Sequence, residues 1–288
     1  MDTLRIDIRQ DFEYSIRTYA PDKDTHGGIL SEYDVLKAHY FLSDYFLSEG
    51  EEVRFGILNY DMLSSAVSRQ IVGYNDKEKW TNDIEKIATL LYGLTKDHAF
   101  NDGNKRTALL SLLIGLHRIN RQVDCKKKEY ETLLVRIASN ELTKYPAYKR
   151  FLQNTDSEVL FIADFIKRNT RKVDMRFRSL TFNEFNTRLK TYNIWLDNPK
   201  GNTINVYQKK EKTFLHKLFN RSQDERITQI GFPGWKRQVN PKAFRSVLQA
   251  AGLTPENGFD ARVFYEGVEP EYKLIDEYYD VLHRLKDR

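Results

Sequence analysis

The chain has 288 residues, 40% hydrophobic and 13% aromatic, which is enough for one large domain or two ordinary ones with real cores. Its one cysteine, Cys125, excludes an internal disulfide and a cysteine zinc cluster, and no run of eighteen apolar residues offers a membrane span. The formal charge of +5 is uneven: Lys plus Arg stand against Asp plus Glu as 24 to 26 over residues 1–170, 17 to 6 over 171–250, and 5 to 9 over 251–288. A basic block of that kind meets nucleic acid, a ribonucleoprotein or an acidic protein face, or else is a solvated surface with no partner. The opening MDTLRIDIRQDFEYSIRTY lacks a basic segment followed by an apolar run, so the expectation is a cytoplasmic protein without a signal peptide.

In chain order, LSEYDVLKAHYFLSDYF predicts a helix. Ser31 is placed to cap it with Asp34 three residues on, and Val35, Leu36, His39 and Leu42 recur at helical spacing. ILNYDMLSSAVSRQIVGY predicts a second helix, ended near Gly73. WTNDIEKIATLLYGLTKDH predicts a third, capped by Thr81 or Asn82, with a stripe of Ile84, Ile87, Leu91 and Leu94 whose extension lands on His98. TALLSLLIGLHRI is apolar on nearly every face, the mark of a helix surrounded by others. EYETLLVRIASNEL and the segment through FLQNT and VLFIADFIKRN predict helices that close around it.

Composition shifts at RNTRKVDMRFRS, residues 168–179, which sets a helical domain over 1–170 and a basic α+β domain over 171–288. The second reads as a helix at FNEFNTRLKTYN, strands at NIWLD and NTINVYQ around the turn Asn198-Pro199-Lys200-Gly201, a strand at ERITQIGF, and a helix at NPKAFRSVLQAAGL ended by Gly252. EPEYKLIDEYYDVLHRLKDR predicts one more helix. The expected fold is mainly α: a helical bundle with a second, smaller α+β domain.

Between the third helix and the axial one lies DHAFNDGNKRT, a concentration of polar chemistry where the core begins. A short loop there would sit over the N-terminus of a buried helix, whose first N–H groups lack intrahelical partners and carry the positive end of the dipole. Gly103 lets a phosphate approach the backbone, and Asn104, Lys105 and Arg106 add donors and positive charge. Asp102 offers magnesium one carboxylate oxygen. His98 is the nearby side chain able to take a proton near pH 7, and Phe100 is the apolar peg of the loop. Taken singly, His98 reads as a satisfied core histidine, Lys105 and Arg106 as solvent-facing charges, and Asp102-Gly103 as a turn. Together they supply what phosphate transfer needs: a base, a metal anchor, an anion cradle and charge neutralisation.

HAFNDGNKRT resembles the signature loop of the Fic/Doc superfamily. The wider LSEYDVLKAHYFL, GILNYDMLSSAV and IEKIATLLYGLTKDHAFNDGNKRTALLSLLIGL resemble its death-on-curing (Doc) branch, over roughly Leu30 to Leu152. The resemblance implies a Fic-like helical bundle with His98 as the base toward a target hydroxyl, Asp102 holding Mg2+, and Asn104 and Arg106 on the phosphates of ATP. Most Fic enzymes are adenylyltransferases with a second glycine after the asparagine and another arginine three residues beyond the first; this chain has Lys105 and Leu109 there. Both departures match the Doc branch. The resemblance therefore implies a protein kinase that transfers the terminal phosphate of ATP to a Ser/Thr hydroxyl of a target, with elongation factor Tu as the family's example. Lys105 also fills room that glycine would leave for inner phosphates. A lysine can swing aside, so adenylylation stays open, as does a nucleotide-sensing regulator that binds RNA or a partner. No Ser/Thr-x-x-x-Glu-Gly/Asn inhibitory pattern is present, so restraint is expected from an antitoxin-like partner, from the C-terminal domain or from a trigger.

The segments LTFNEFNTRLKTYNIW, GNTINVYQ and ITQIGFPGWKRQVNPKAFRSVLQAAGL resemble the HicA-type toxin, a small double-stranded-RNA-binding-like fold, with Gly201-Asn202-Thr203 where that family has its working histidine. Ribonuclease activity is not expected. RNA or ribosome binding is expected through Lys209, Lys210, Lys212, Arg221, Lys236 and Arg237, with Trp235 or Phe232 for stacking, unless those two rings simply pack the domain's core.

Overall fold

The structure, a computed structural model, describes residues 4–75, 77–172, 180–209, 224–253 and 270–286. In chain order the α-helices among the described residues are α1 (Ile6–Tyr19), α2 (Glu32–Ser48), α3 (Tyr60–Ser68), α4 (Asp83–Lys96), α5 (Asn104–Arg118), α6 (Lys127–Ala138), α7 (Ser157–Arg168), α8 (Phe182–Lys190), α9 (Pro241–Ala250) and α10 (Pro270–Arg284). They fall into two compact units, Met1–Asp174 joined by Val268–Arg288, and Met175–Gly267. Among the described residues no helix is long and apolar enough to cross a membrane.

In the helical unit α5 is the axis: every residue from Arg106 to Leu116 is buried, and α2, α4, α6 and α10 pack around it. Helix α2 starts as its sequence predicts. The Ser31 hydroxyl accepts the Asp34 N–H at 3.3 Å while the Asp34 carboxylate accepts the Ser31 N–H at 2.8 Å. Arg118, at the end of α5, donates to both oxygens of that carboxylate at 2.8 and 2.5 Å, pinning the two helices together. Asn82 caps α4 by accepting the Glu85 N–H.

Three helices depart from the sequence reading. Helix α1 has no counterpart in it, because the charges that crowd the segment hide a narrow stripe of Ile8, Phe12 and Ser15, all buried. Helix α3 starts only at Tyr60, since the Asn59 side chain accepts the Met62 N–H and Ile57 pairs as an extended residue with Phe100. And α10, grouped by its position with the basic domain, belongs to the helical unit. Its Leu274, Ile275, Tyr278, Val281, Leu282 and Leu285 are buried against α2, α5 and α6. Small antiparallel pairs, β1 (Gly73–Tyr74) with β2 (Lys77–Glu78) and β3 (Arg121–Val123) with β4 (Thr170–Lys172), complete the unit.

Among its described residues the second unit runs helix, three strands, helix, in the order the sequence predicts. Strands β5 (Ile194–Lys200), β6 (Thr203–Lys209) and β7 (Asp224–Gly231) form an antiparallel sheet in that order. Alternation sends Ile194, Leu196, Ile204, Val206 and Ile230 into a core shared with Phe182, Phe185 and Leu189 of α8 and Phe244 and Val247 of α9.

Candidate active site

Helix α4 ends at Lys96, and the Asp97 N–H closes its last turn on the Gly93 carbonyl at 2.8 Å. Burial pushes the Asp97 carboxyl above its usual range, against the opposing pull of the Arg69 guanidinium 3.1 Å away. The apolar stripe of α4 does not continue onto His98. That residue takes a left-handed backbone, φ 49°, which turns the chain out of the helix and leaves its side chain exposed. The chain then dives back, with Ala99 and Phe100 only 0% and 1% exposed.

The loop is held along both edges. On one side residues 56–59 run beside it: Leu58 and Asn59 donate to the Ala99 carbonyl at 2.9 and 3.1 Å, and Asn101 donates to the Gly56 carbonyl at 3.1 Å. On the other, Asn104 bonds both main-chain groups of Phe100, accepting its N–H and donating to its carbonyl, each at 2.9 Å. The Asn104 amide thus serves the loop here. Asp102 accepts the Gly103 N–H through one oxygen at 2.5 Å. Gly103 then enters α5 with φ 70°, a conformation costly for any other residue, and a Cβ there would meet nothing within 4 Å. The Gly103 flank of the first turn of α5 is therefore uncrowded, as close approach of an anion to the backbone requires. Lys105 is half-buried beside it, whereas Arg106 is buried and directed to Glu51 at 3.0 Å and to the Leu282 carbonyl at 2.8 Å.

Sequence reasoning missed a residue at the centre of this arrangement. His39 of α2 was placed among the residues at helical spacing, and it is indeed buried, but its ring also joins four elements. It stacks on Phe100 at 4.0 Å and 12°, meets the Thr107 hydroxyl through Nδ1 at 3.1 Å, and accepts the Gly56 N–H through Nε2 at 3.1 Å. Acceptance at Nε2 puts the ring proton on Nδ1, donated to Thr107. Burial lowers its pKa to about 3, so the imidazole is neutral in the folded protein. An unfolded chain binds this proton below pH 6.5 and the folded one does not, so stability is lost as pH falls through that window, by up to about 1.4 kcal/mol per unit. Denaturant titrations at stepped pH should show a flatter acid dependence for His39→Gln than for the natural chain. Equal slopes would mean that the histidine is already neutral when unfolded or charged when folded.

Among the described residues no three His, Cys, Asp or Glu side chains converge as a metal cage. Asp102, with one oxygen on Gly103 and the other not engaged by a described residue, fits an ion that brings its remaining ligands as phosphate and water.

The structure gathers His98, Asp102, Gly103, Asn104 and Lys105 at one loop and turns Arg106 away from it. In the second unit the described members of the expected RNA-binding set lie at two places. Lys209 is exposed where β6 ends opposite Asp224, while Trp235, Lys236 and Arg237 follow the other end of the sheet, where Thr203 faces Gly231. The length of β6, about 20 Å, separates them. Phe232 is buried, edge-on to Phe182 and Trp235 at 5.1 and 5.0 Å, so it packs the core, and Trp235 is 37% exposed at its rim. Lys210, Lys212 and Arg221 lie outside the described residues.

Comparison with curated proteins and with solved structures gives no match to this chain. Residues 29–116, from the entry to α2 through the end of the buried run of α5, match the model of the Fic/DOC family, a likeness that suggests a transferase.

Proposed function

We propose that the helical unit is a protein kinase of the death-on-curing type, which transfers the terminal phosphate of ATP to a Ser or Thr hydroxyl of a target protein. The observation that carries this reading is His98: exposed on a left-handed turn, one loop ahead of a helix N-terminus uncrowded at Gly103, with a half-buried lysine beside it. The imidazole takes the proton of the target hydroxyl as its oxygen attacks the terminal phosphorus. The bond from that phosphorus to the bridging oxygen breaks, and ADP leaves with the electron pair. The first-turn N–H groups of α5, fixed before the reaction begins, and the Lys105 ammonium stabilise the charge that builds on the phosphoryl oxygens. Asp102 would hold a magnesium ion, which would further neutralise phosphate charge.

Two features favour transfer of phosphate over transfer of a nucleotidyl group. Leu109 is fully buried in α5, so position 109 offers no cation to an extended triphosphate. Lys105 occupies the place of the glycine that most adenylyltransferases of this likeness carry. A translation factor such as elongation factor Tu is the target class the likeness suggests, with an antitoxin-like partner as restraint and the cytoplasm as the site of action. RNA or ribosome contact through the second unit rests on its excess of positive charge and on the exposed Lys236 and Arg237.

The test is to incubate the purified chain with magnesium and cell extract, once with ATP labelled at the γ-phosphate and once at the α-phosphate. Label in a protein band from the γ-position alone is expected. Label from the α-position would make the enzyme an adenylyltransferase, and none from either would leave a nucleotide-sensing binding protein.

A further inference from the structure

Arg106 carries the motif's arginine, yet the structure gives it other work. Its side chain is 4% exposed, with Nε donating to the Leu282 carbonyl at 2.8 Å and a terminal nitrogen to Glu51 at 3.0 Å and to the His283 carbonyl at 3.3 Å. Its guanidinium lies over the Phe46 ring at 4.0 Å. The two carbonyls belong to the last turn of α10, where main-chain acceptors run out of i+4 donors, and that of His283 also accepts the Lys286 N–H at 3.2 Å. Glu51 is itself 11% exposed and also faces His283 Nε2 at 3.3 Å and Lys286 at 3.5 Å. To reach a phosphate, the guanidinium would have to abandon three acceptors and leave the half-buried Glu51 carboxylate to His283 and Lys286 alone.

We propose that Arg106 is a positioning residue, not a phosphate ligand, a role that rests on the transferase reading above. It fastens the first turn of α5 to the end of α10 and to Glu51. Glu51 begins the stretch that leads into residues 56–59, which pair with the catalytic loop. One planar fork thus ties the start of α5 to the stretch that borders the loop, and α10 is part of the active site's frame. Phosphate contact falls to Lys105 and to the backbone of α5. A lysine at 106 would keep the charge but could not span the same three acceptors.

The experiment compares Arg106→Lys and the isosteric Glu51→Gln with the natural chain, each assayed below its own melting temperature and per folded molecule. Transfer from γ-labelled ATP, KM for ATP and amide exchange over residues 97–104 are read together. Positioning predicts that both variants lose about tenfold or more in kcat, keep KM for ATP within about twofold, and exchange the loop amides faster. A higher KM in Arg106→Lys with tighter ATP binding in Glu51→Gln would overturn the proposal in favour of a phosphate ligand held back by Glu51. A lowered melting temperature with kcat and loop exchange unchanged would overturn it in favour of a purely structural pair. Loop exchange also reads the proposal where no transfer is seen: faster exchange in both variants would support positioning even if the kinase reading failed, and unchanged exchange would sink positioning alone.

Discussion

His98→Ala should abolish measurable label transfer, a loss of about a hundredfold to ten-thousandfold, which is what removal of a positioned base costs. The folded state should hardly notice. The side chain is exposed, and the bonds that fix the loop run through the main chain of Ala99, Phe100 and Asn101 and the side chain of Asn104. A melting temperature unchanged within a degree or so, with ATP still bound, is therefore part of the expectation. The left-handed backbone adds one refinement: asparagine tolerates that conformation better than alanine, so His98→Asn is the cleaner variant should alanine loosen the turn. If either variant transferred label at the natural rate, the base would have to be sought elsewhere.

The second large effect is on stability. Ile275 is fully buried in α10, and Ile275→Asp places a carboxylate with no partner in the seam with the rest of the helical unit. The cost of a buried, unpaired charge, together with the lost apolar contact, should exceed about 3 kcal/mol. For a unit of this size that lowers the melting temperature by about 10 °C. The second unit has its own core, so its unfolding should be little altered. The tryptophans separate the two events, since Trp80 lies in the core of the helical unit while Trp195 and Trp235 lie in the other. Unchanged melting of the Trp80 signal would mean that α10 is not packed as described.

Much of this was legible because the signals were local. The capping pair Ser31 and Asp34, the cap Asn82 and the apolar wall of α5 each declare themselves within a few residues, and so does the run of titratable groups from His98 to Arg106. What the sequence concealed depends on distant partners. His39 sits at ordinary core spacing, and its role appears only when Gly56, Phe100 and Thr107 are brought around it. Glu51 follows α2 like any surface acid until Arg106 and α10 close over it. The turn at His98 could not be foreseen from periodicity, because the stripe of α4 carries on in sequence after the helix has stopped. The helix at the far end of the chain was assigned by proximity, while its buried face belongs with residues read more than a hundred positions earlier.

That return of the chain bears on how the protein is made. A ribosome working from the N-terminus finishes α1 to α7 long before α10, and must build the whole of the second unit in between. Until then the flank of α5 that α10 will cover is open, and Arg106 has no helix end to grip. Domains begin to fold as they emerge, but this one cannot finish. Synthesis cut short anywhere within the second unit would leave the polar loop ahead of α5 in an unfinished unit. The same logic guides dissection in the laboratory: residues 1–172 expressed alone should behave as an incomplete fold, whereas the same residues joined by a flexible linker to 270–286 should regain it.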